Sequence, residues 1–238
     1  MTYIHLAYLW LNDPLNWTNP GGIFDDLRQH LYLSIASLLV AAAIALPIGL
    51  WFGHIGRGGA IVTLSNLTRA IPTYGLLTIF VVAGLGFGAD SVVPALAIFA
   101  IPPILANTYT GMREVSAEAK DAARGMGMSG GQILRRVELP MSMPYIATGL
   151  RTAAVQIVAT ATLASLVNGG GLGTIISAGF GLGISAGGGQ ILAGGFLVVV
   201  LALIVNGLTG TIAHYATPAP LRQRQRLLPW LRPRSARI

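Results

Sequence analysis

The richest concentration of ionisable side chains lies between Met112 and Pro140: Arg113, Glu114, Glu118, Lys120, Asp121, Arg124, Arg135, Arg136 and Glu138. Within it runs a fixed pattern of Asp121-Ala122-Ala123, three spacers, Gly127, nine spacers, then Val137-Glu138-Leu139-Pro140. The pattern pairs no nucleophile with a base. A carboxylate followed by two alanines instead offers a polar contact on a surface that another protein's backbone can approach closely. The fixed positions of the pattern are Asp121, Ala122, Ala123, Gly127, Val137, Leu139 and Pro140, and none is a catalytic candidate.

Other reactive-looking patterns are weaker. Gly183-Ile184-Ser185-Ala186-Gly187 is formally G-x-S-x-G, but a nucleophile elbow needs a strand–turn–helix setting and an ordered acid and histidine. No Asp or Glu follows Ser185, and residues 168–189 hold ten glycines in 22, so such a match arises cheaply. Gly125–Gly130 fits G-x-G-x-x-G without a preceding strand, so no dinucleotide is expected. With no cysteine there is neither a disulfide framework nor a thiolate metal site, and no cofactor is expected.

The elements that must hold the charged cluster are apolar helices. Of 238 residues 53% are hydrophobic and only 10% charged, with mean hydropathy +0.68, against about 25% charged in a soluble domain. The fold class is therefore all-α and polytopic. A helix needs about 20 apolar residues to cross the hydrocarbon core, and five stretches qualify: Leu31–Gly53, Ile61–Gly84, Ser91–Met112, Pro144–Asn168 and Gln190–His214. Residues 1–29 form an external N-terminal segment, 30–215 the transmembrane domain, and 216–238 an arginine-rich cytoplasmic tail. No basic n-region with a short apolar core opens the chain, so a cleaved signal peptide is not expected. The glycine-rich stretch before the last span reads as an external re-entrant turn.

Charge orients the helices. Alternating sides collect 12 of the 15 basic residues on one face, including Arg57, five in the 112–140 loop and six in the tail. By the positive-inside rule that face is cytoplasmic, which puts the N-terminus outside and the loop inside. The same distribution accounts for the net charge of +7 without nucleic acid. The tail arginines Arg222, Arg224, Arg226, Arg232, Arg234 and Arg237 read as an anchor to anionic lipid. Arg69 and Arg151 sit near cytoplasmic span ends and snorkel, so neither is assigned to substrate.

Read as helix, Val115, Ala119, Ala122, Ala123 and Met126 share one face. Glu114 with Glu118, and Lys120 with Arg124, stack like charges. Gly125 and Gly127 end that helix, Ser129 caps a second helix through Arg136, and Pro140 allows a sharp turn into the next span. The product is a compact knob with a glycine hinge.

The pattern resembles the EAA loop of binding-protein-dependent ABC importer permeases, EAA-x3-G-x9-I-x-LP, in every spacing, with Asp121 in place of the first glutamate. A second stretch is similar to permeases that import quaternary-ammonium osmoprotectants such as glycine betaine, carnitine, choline and proline betaine. It comprises Gly149-Leu150-Arg151-Thr152-Ala153, Val155-Gln156, Ala159–Ala164 and Gly169–Gly173. The resemblance implies an ATPase-coupling role for Asp121, Ala122, Ala123, Gly127, Val137, Leu139 and Pro140. It also implies cytoplasmic ABC ATPase subunits, a second permease (a copy or a paralogue) and a separate extracytoplasmic substrate-binding protein. ATP hydrolysis then belongs to a partner, since this chain carries no Walker A pattern. Gln156, Thr160 and Thr162 are the candidates for the translocation pathway. Amino acids or other small solutes are the alternative cargo. An ion-coupled carrier is disfavoured because no Asp or Glu falls inside the five spans. An intramembrane hydrolase built on Ser185 with His54 or His214 would place its parts on opposite sides of the membrane.

Overall fold

The computed structural model describes residues 2–218, so the arginine-rich tail lies outside the described residues. Among them, every regular element is a helix. Short helices α1 (Tyr3–Asn12) and α2 (Leu15–Thr18) precede α3 (Ile23–His54), which runs through Pro47 unbroken. The helix containing the first span thus begins at Ile23, inside the stretch expected to precede the transmembrane domain.

The second span departs from expectation. Instead of one rod over Ile61–Gly84, α4 (Gly59–Leu67) and a 3₁₀ turn (Thr68–Ala70) meet α5 (Thr73–Phe80) at 84°. Pro72 supplies no N–H and pushes the preceding residue out of the helical region. Ile71 is accordingly extended at φ −79°, ψ 121°. Arg69 stands in that turn, beside the break.

Helix α6 (Ala89–Arg113) absorbs Pro94, Pro102 and Pro103 without interruption. Its partner is α3: Leu33, Ala41 and Ala45 of α3 meet Val92, Leu96, Ala100 and Ile104 of α6, with Ala153 and Ile157 from α9 closing the core. Small side chains let the helix axes approach closely, which is how helices associate in lipid.

Beyond α6 come α7 (Ala117–Gly125), α8 (Gly130–Ile133) and α9 (Leu139–Thr160), the last extended by 3₁₀ turns over Ala161–Val167. The glycine-rich stretch is itself largely helical. It folds as α10 (Gly173–Gly181), which packs against the beginning of α11 (Ile184–Ala216). The contact is backbone on backbone: a Cβ placed on Gly187 would sit 2.0 Å from the Gly179 carbonyl oxygen. Glycine at both positions permits that approach, and helical bonding satisfies the backbone internally.

His30 ties the end of this assembly opposite the charged loop. It is fully buried in α3; its Nε2 lies 2.9 Å from the Val158 carbonyl, and the Leu172 N–H donates to Nδ1 at 3.2 Å. The ring is therefore the neutral tautomer with the proton on Nε2, fastening α3 to α9 and to the loop before α10. His30→Leu strands one buried N–H and one buried carbonyl, at a cost of about 1–3 kcal/mol. Thermal unfolding of the purified variant should begin at lower temperature; an unchanged midpoint would show that the ring is no staple.

Candidate functional site

Helix α7 starts two residues later than the apolar pattern suggests. Ser116 is its N-cap, accepting the Ala119 N–H at 3.3 Å, so Val115 packs beneath the knob as a buried anchor. Ala123 is buried whereas Ala122 and Asp121 are exposed, and Met126 is 70% exposed. The expected single apolar face is thus divided, Val115 and Ala123 facing inward and Ala122 and Met126 outward. Arg124 Nη1 meets Asp121 Oδ1 at 2.8 Å on the open surface. An exposed pair of this kind contributes at most about 1 kcal/mol, so both groups remain free to exchange partners.

The glycine hinge is present and its geometry is specific. Gly127 has φ +78°. Its N–H bonds the Arg124 carbonyl at 2.9 Å while the Met128 N–H reaches back to Ala123 at 3.1 Å. Together these make a Schellman stop, which requires a left-handed residue at the position Gly127 occupies.

Ser129 then caps α8 through a capping box with Gln132. Here the structure corrects a second expectation. No corner forms at Pro140: α8 passes through a widened π turn, Leu134–Glu138, directly into α9, giving one helical rod from Gly130 to Val167. The wider turn accommodates the N–H that Pro140 lacks. Val137, Leu139 and Pro140 are half-buried along this rod rather than on the open surface of the knob.

The spacing pattern treats Glu138 as a filler position, yet its side chain is the most connected in the region. It is 1% exposed. Lys120 Nζ reaches its Oε1 at 3.0 Å and the Met112 carbonyl at 3.3 Å, and His54 Nδ1 bonds its Oε2. One carboxylate thus joins the end of α3, the knob helix α7 and the root of α9, and Lys120 ties in the end of α6. The expected like-charge stacks do not form: Lys120 turns inward to Glu138, Arg124 pairs with Asp121, and Glu114 lies outside α7. The sequence did carry a signal. A carboxylate among Val137, Leu139 and Pro140 must find a partner if it is buried.

The pathway candidates lie further along the rod. Thr160 donates to the Gln156 carbonyl and Thr162 to the Ala159 carbonyl, each at 2.8 Å, so both hydroxyls are bonded to nearby backbone. Gln156 differs, because its Oε1 is buried without a hydrogen-bond partner. Ser185 stands exposed in the first turn of α11, and His214 lies 29 residues along that helix, roughly 43 Å away at 1.5 Å per residue. His54 serves Glu138. No triad is assembled.

Residues 45–214 match the family described as binding-protein-dependent transport system inner membrane component. The chain is 32% identical over 206 residues to the glycine betaine/carnitine/choline transport system permease protein OpuCB of Bacillus subtilis, covering 86% of this chain and 93% of that one. It is 31% identical to the choline transport system permease protein OpuBB of the same organism (88% and 95% covered). Against the carnitine transport permease protein OpuCB of Listeria monocytogenes the identity is 34%, with 82% and 88% covered. Among solved structures, an inward-facing methionine ABC transporter MetNI chain superposes with a TM-score of 0.73 at 22% identity. That match covers 87% of this chain and all of the other. At that identity the likeness concerns the fold.

Proposed function

Since this chain belongs to the binding-protein-dependent transport system inner membrane component family, we propose that it is the permease subunit of an ABC importer for quaternary-ammonium osmoprotectants: glycine betaine, carnitine, choline and proline betaine. It is a multi-pass inner-membrane protein and hydrolyses no ATP itself. The observation that carries the mechanism is the knob at 116–140, a capped, hinged helix whose Lys120 is bonded to Glu138 at the root of α9 and to the end of α6, with His54 of α3 on the same carboxylate.

A cytoplasmic ATPase dimer seats against Asp121, Ala122 and Ala123, and Gly127 shapes the rim of the contact. Closure of the dimer on ATP pushes α7, and Val137, Leu139 and Pro140 carry the push into the α9 rod. A second permease, a copy or a paralogue, completes the core, and a separate extracytoplasmic binding protein delivers the solute. Gln156, Thr160 and Thr162 line the route. Residues 1–29 stay external, 30–215 form the transmembrane domain, and the tail 216–238 rests in the cytoplasm against anionic lipid.

The test is reconstitution. Proteoliposomes holding the permease, its ATPase and the binding protein should accumulate radiolabelled glycine betaine, carnitine or choline only with internal ATP. Uptake by the permease without the ATPase would overturn this reading.

A further inference from the structure

We propose that Arg151, set between α9 and α11, is a cargo-specificity residue that receives the carboxylate of a zwitterionic solute; this rests on the cargo reading above. Arg151 lies twelve residues past Leu139, so its Cα is roughly 18 Å along the helix. It stands seven residues, roughly 10 Å, inside the span that starts at Pro144, and its side chain runs toward His214 at the cytoplasmic end of α11. Its Nε donates to Asn206 Oδ1 at 2.8 Å. The guanidinium lies over the α11 backbone at Gly210, where a Cβ would come within 3.3 Å of Cζ and Nη1. Among the described residues the ion pairs are those of Glu138 and Asp121, so no carboxylate answers Arg151. Nor could α9 or α11 supply one, because Glu138 is the last acidic residue of the chain.

The surroundings separate this face from lipid. The bare face of α11 is apolar, with Leu192, Phe196, Val199, Leu203, Leu208 and Ile212 exposed, as a lipid-facing helix should be. The bare face of α9 carries Thr148, Arg151, Thr152 and Ala159 instead. An arginine within a span is costly against hydrocarbon and belongs where water, protein or a ligand meets it. In front of the guanidinium, toward the cytoplasmic end of α11, lies a cavity of about 200 Å³ lined by Pro144, Thr148, Gly210, Ala213, His214 and Thr217.

With Nε already committed, both Nη groups remain to grip a carboxylate by two parallel hydrogen bonds. Glycine betaine and carnitine offer that carboxylate; choline offers only a hydroxyl and a cation, which the guanidinium repels. A site built to bond a group discriminates strongly against the analogue that lacks it.

The experiment uses the complete transporter in liposomes and compares uptake of radiolabelled glycine betaine and choline by wild type and Arg151→Gln. Each variant rate is divided by the wild-type rate for the same solute, which cancels the binding protein's own preference. The glycine betaine to choline ratio should fall about tenfold or more. Arg151→Lys, which keeps the charge without the fork, should fall between and serves alone if the Gln variant does not assemble. A parallel loss of both solutes, or an unchanged ratio, overturns the inference. A wild type that carries choline but no carboxylate-bearing solute also overturns it while leaving the cargo class intact. A wild type that carries none of these solutes removes the cargo class, and the inference with it.

Discussion

Glu138→Ala should abolish most ATP-driven uptake and lower the unfolding temperature of the purified permease. The carboxylate is almost wholly enclosed, and its loss leaves Lys120 with one carbonyl contact and His54 without a partner. Breaking a buried ion pair by removing one member typically costs about 3–5 kcal/mol. The functional loss should exceed what stability alone dictates, because the same side chain joins α7 to the helices that must move. A double variant separates the two effects. Lys120→Met with Glu138→Leu replaces both charges by apolar groups, which is often neutral or stabilising, so it should recover thermal stability relative to Glu138→Ala. Uptake should stay low in the double variant, since apolar contacts do not fix the knob's orientation. Wild-type uptake and an unchanged melting profile in Glu138→Ala would eliminate the latch.

The second large effect is expected at Gly127. Nothing lies within 4 Å of a Cβ built there, so crowding inside the chain is not the obstacle. The obstacle is φ +78°, which costs an L-residue roughly 1–2 kcal/mol and a β-branched one more. Gly127→Val should unwind the Schellman stop and misplace Met126 and Met128 on the docking rim. Membrane insertion and helix content should persist, and the partner ATPase should still turn over, while uptake falls to background. Asn tolerates the left-handed region, so uptake should rank Gly, then Asn, then Ala, then Val. Full uptake by the Val variant would mean that the rim touches nothing.

The sequence reveals the fold most clearly where a single physical rule dominates. Apolar runs of 20 or more residues mark spans because the hydrocarbon core demands them, and the arginines orient them. The helix break at Gly125–Gly127 is similarly local, since glycine weakens a helix wherever it stands. The bend at Pro72 was also written in the chain, but the apolar run continues across it and hides the break from a hydropathy reading. The π turn before α9 has no compositional mark. Two features were out of reach for a different reason. Glu138 pairs with His54, 84 positions away, and Arg151 with Asn206, 55 away. Such pairings depend on which helices become neighbours, which no local spacing records. The seven proposed coupling residues fall on α7, its glycine stop and the root of the α9 rod, whereas the connection of α7 to the core passes through side chains that looked like spacers.

The unbroken rod from Gly130 to Val167 has a mechanical consequence. A jointed knob would dissipate a push at the corner; a continuous 38-residue helix acts as a lever arm. At 1.5 Å per residue the arm is roughly 57 Å long, so pivoting by about 10° near its middle swings each tip by roughly 5 Å in opposite directions. Under the proposed coupling the cytoplasmic tip would bear the load, while the far tip carries the 3₁₀ turns that lead into the glycine-rich loop. One stroke delivered inside would therefore narrow one mouth as it widens the other, and the reciprocity of the two gates would be a matter of leverage rather than of a relay of contacts.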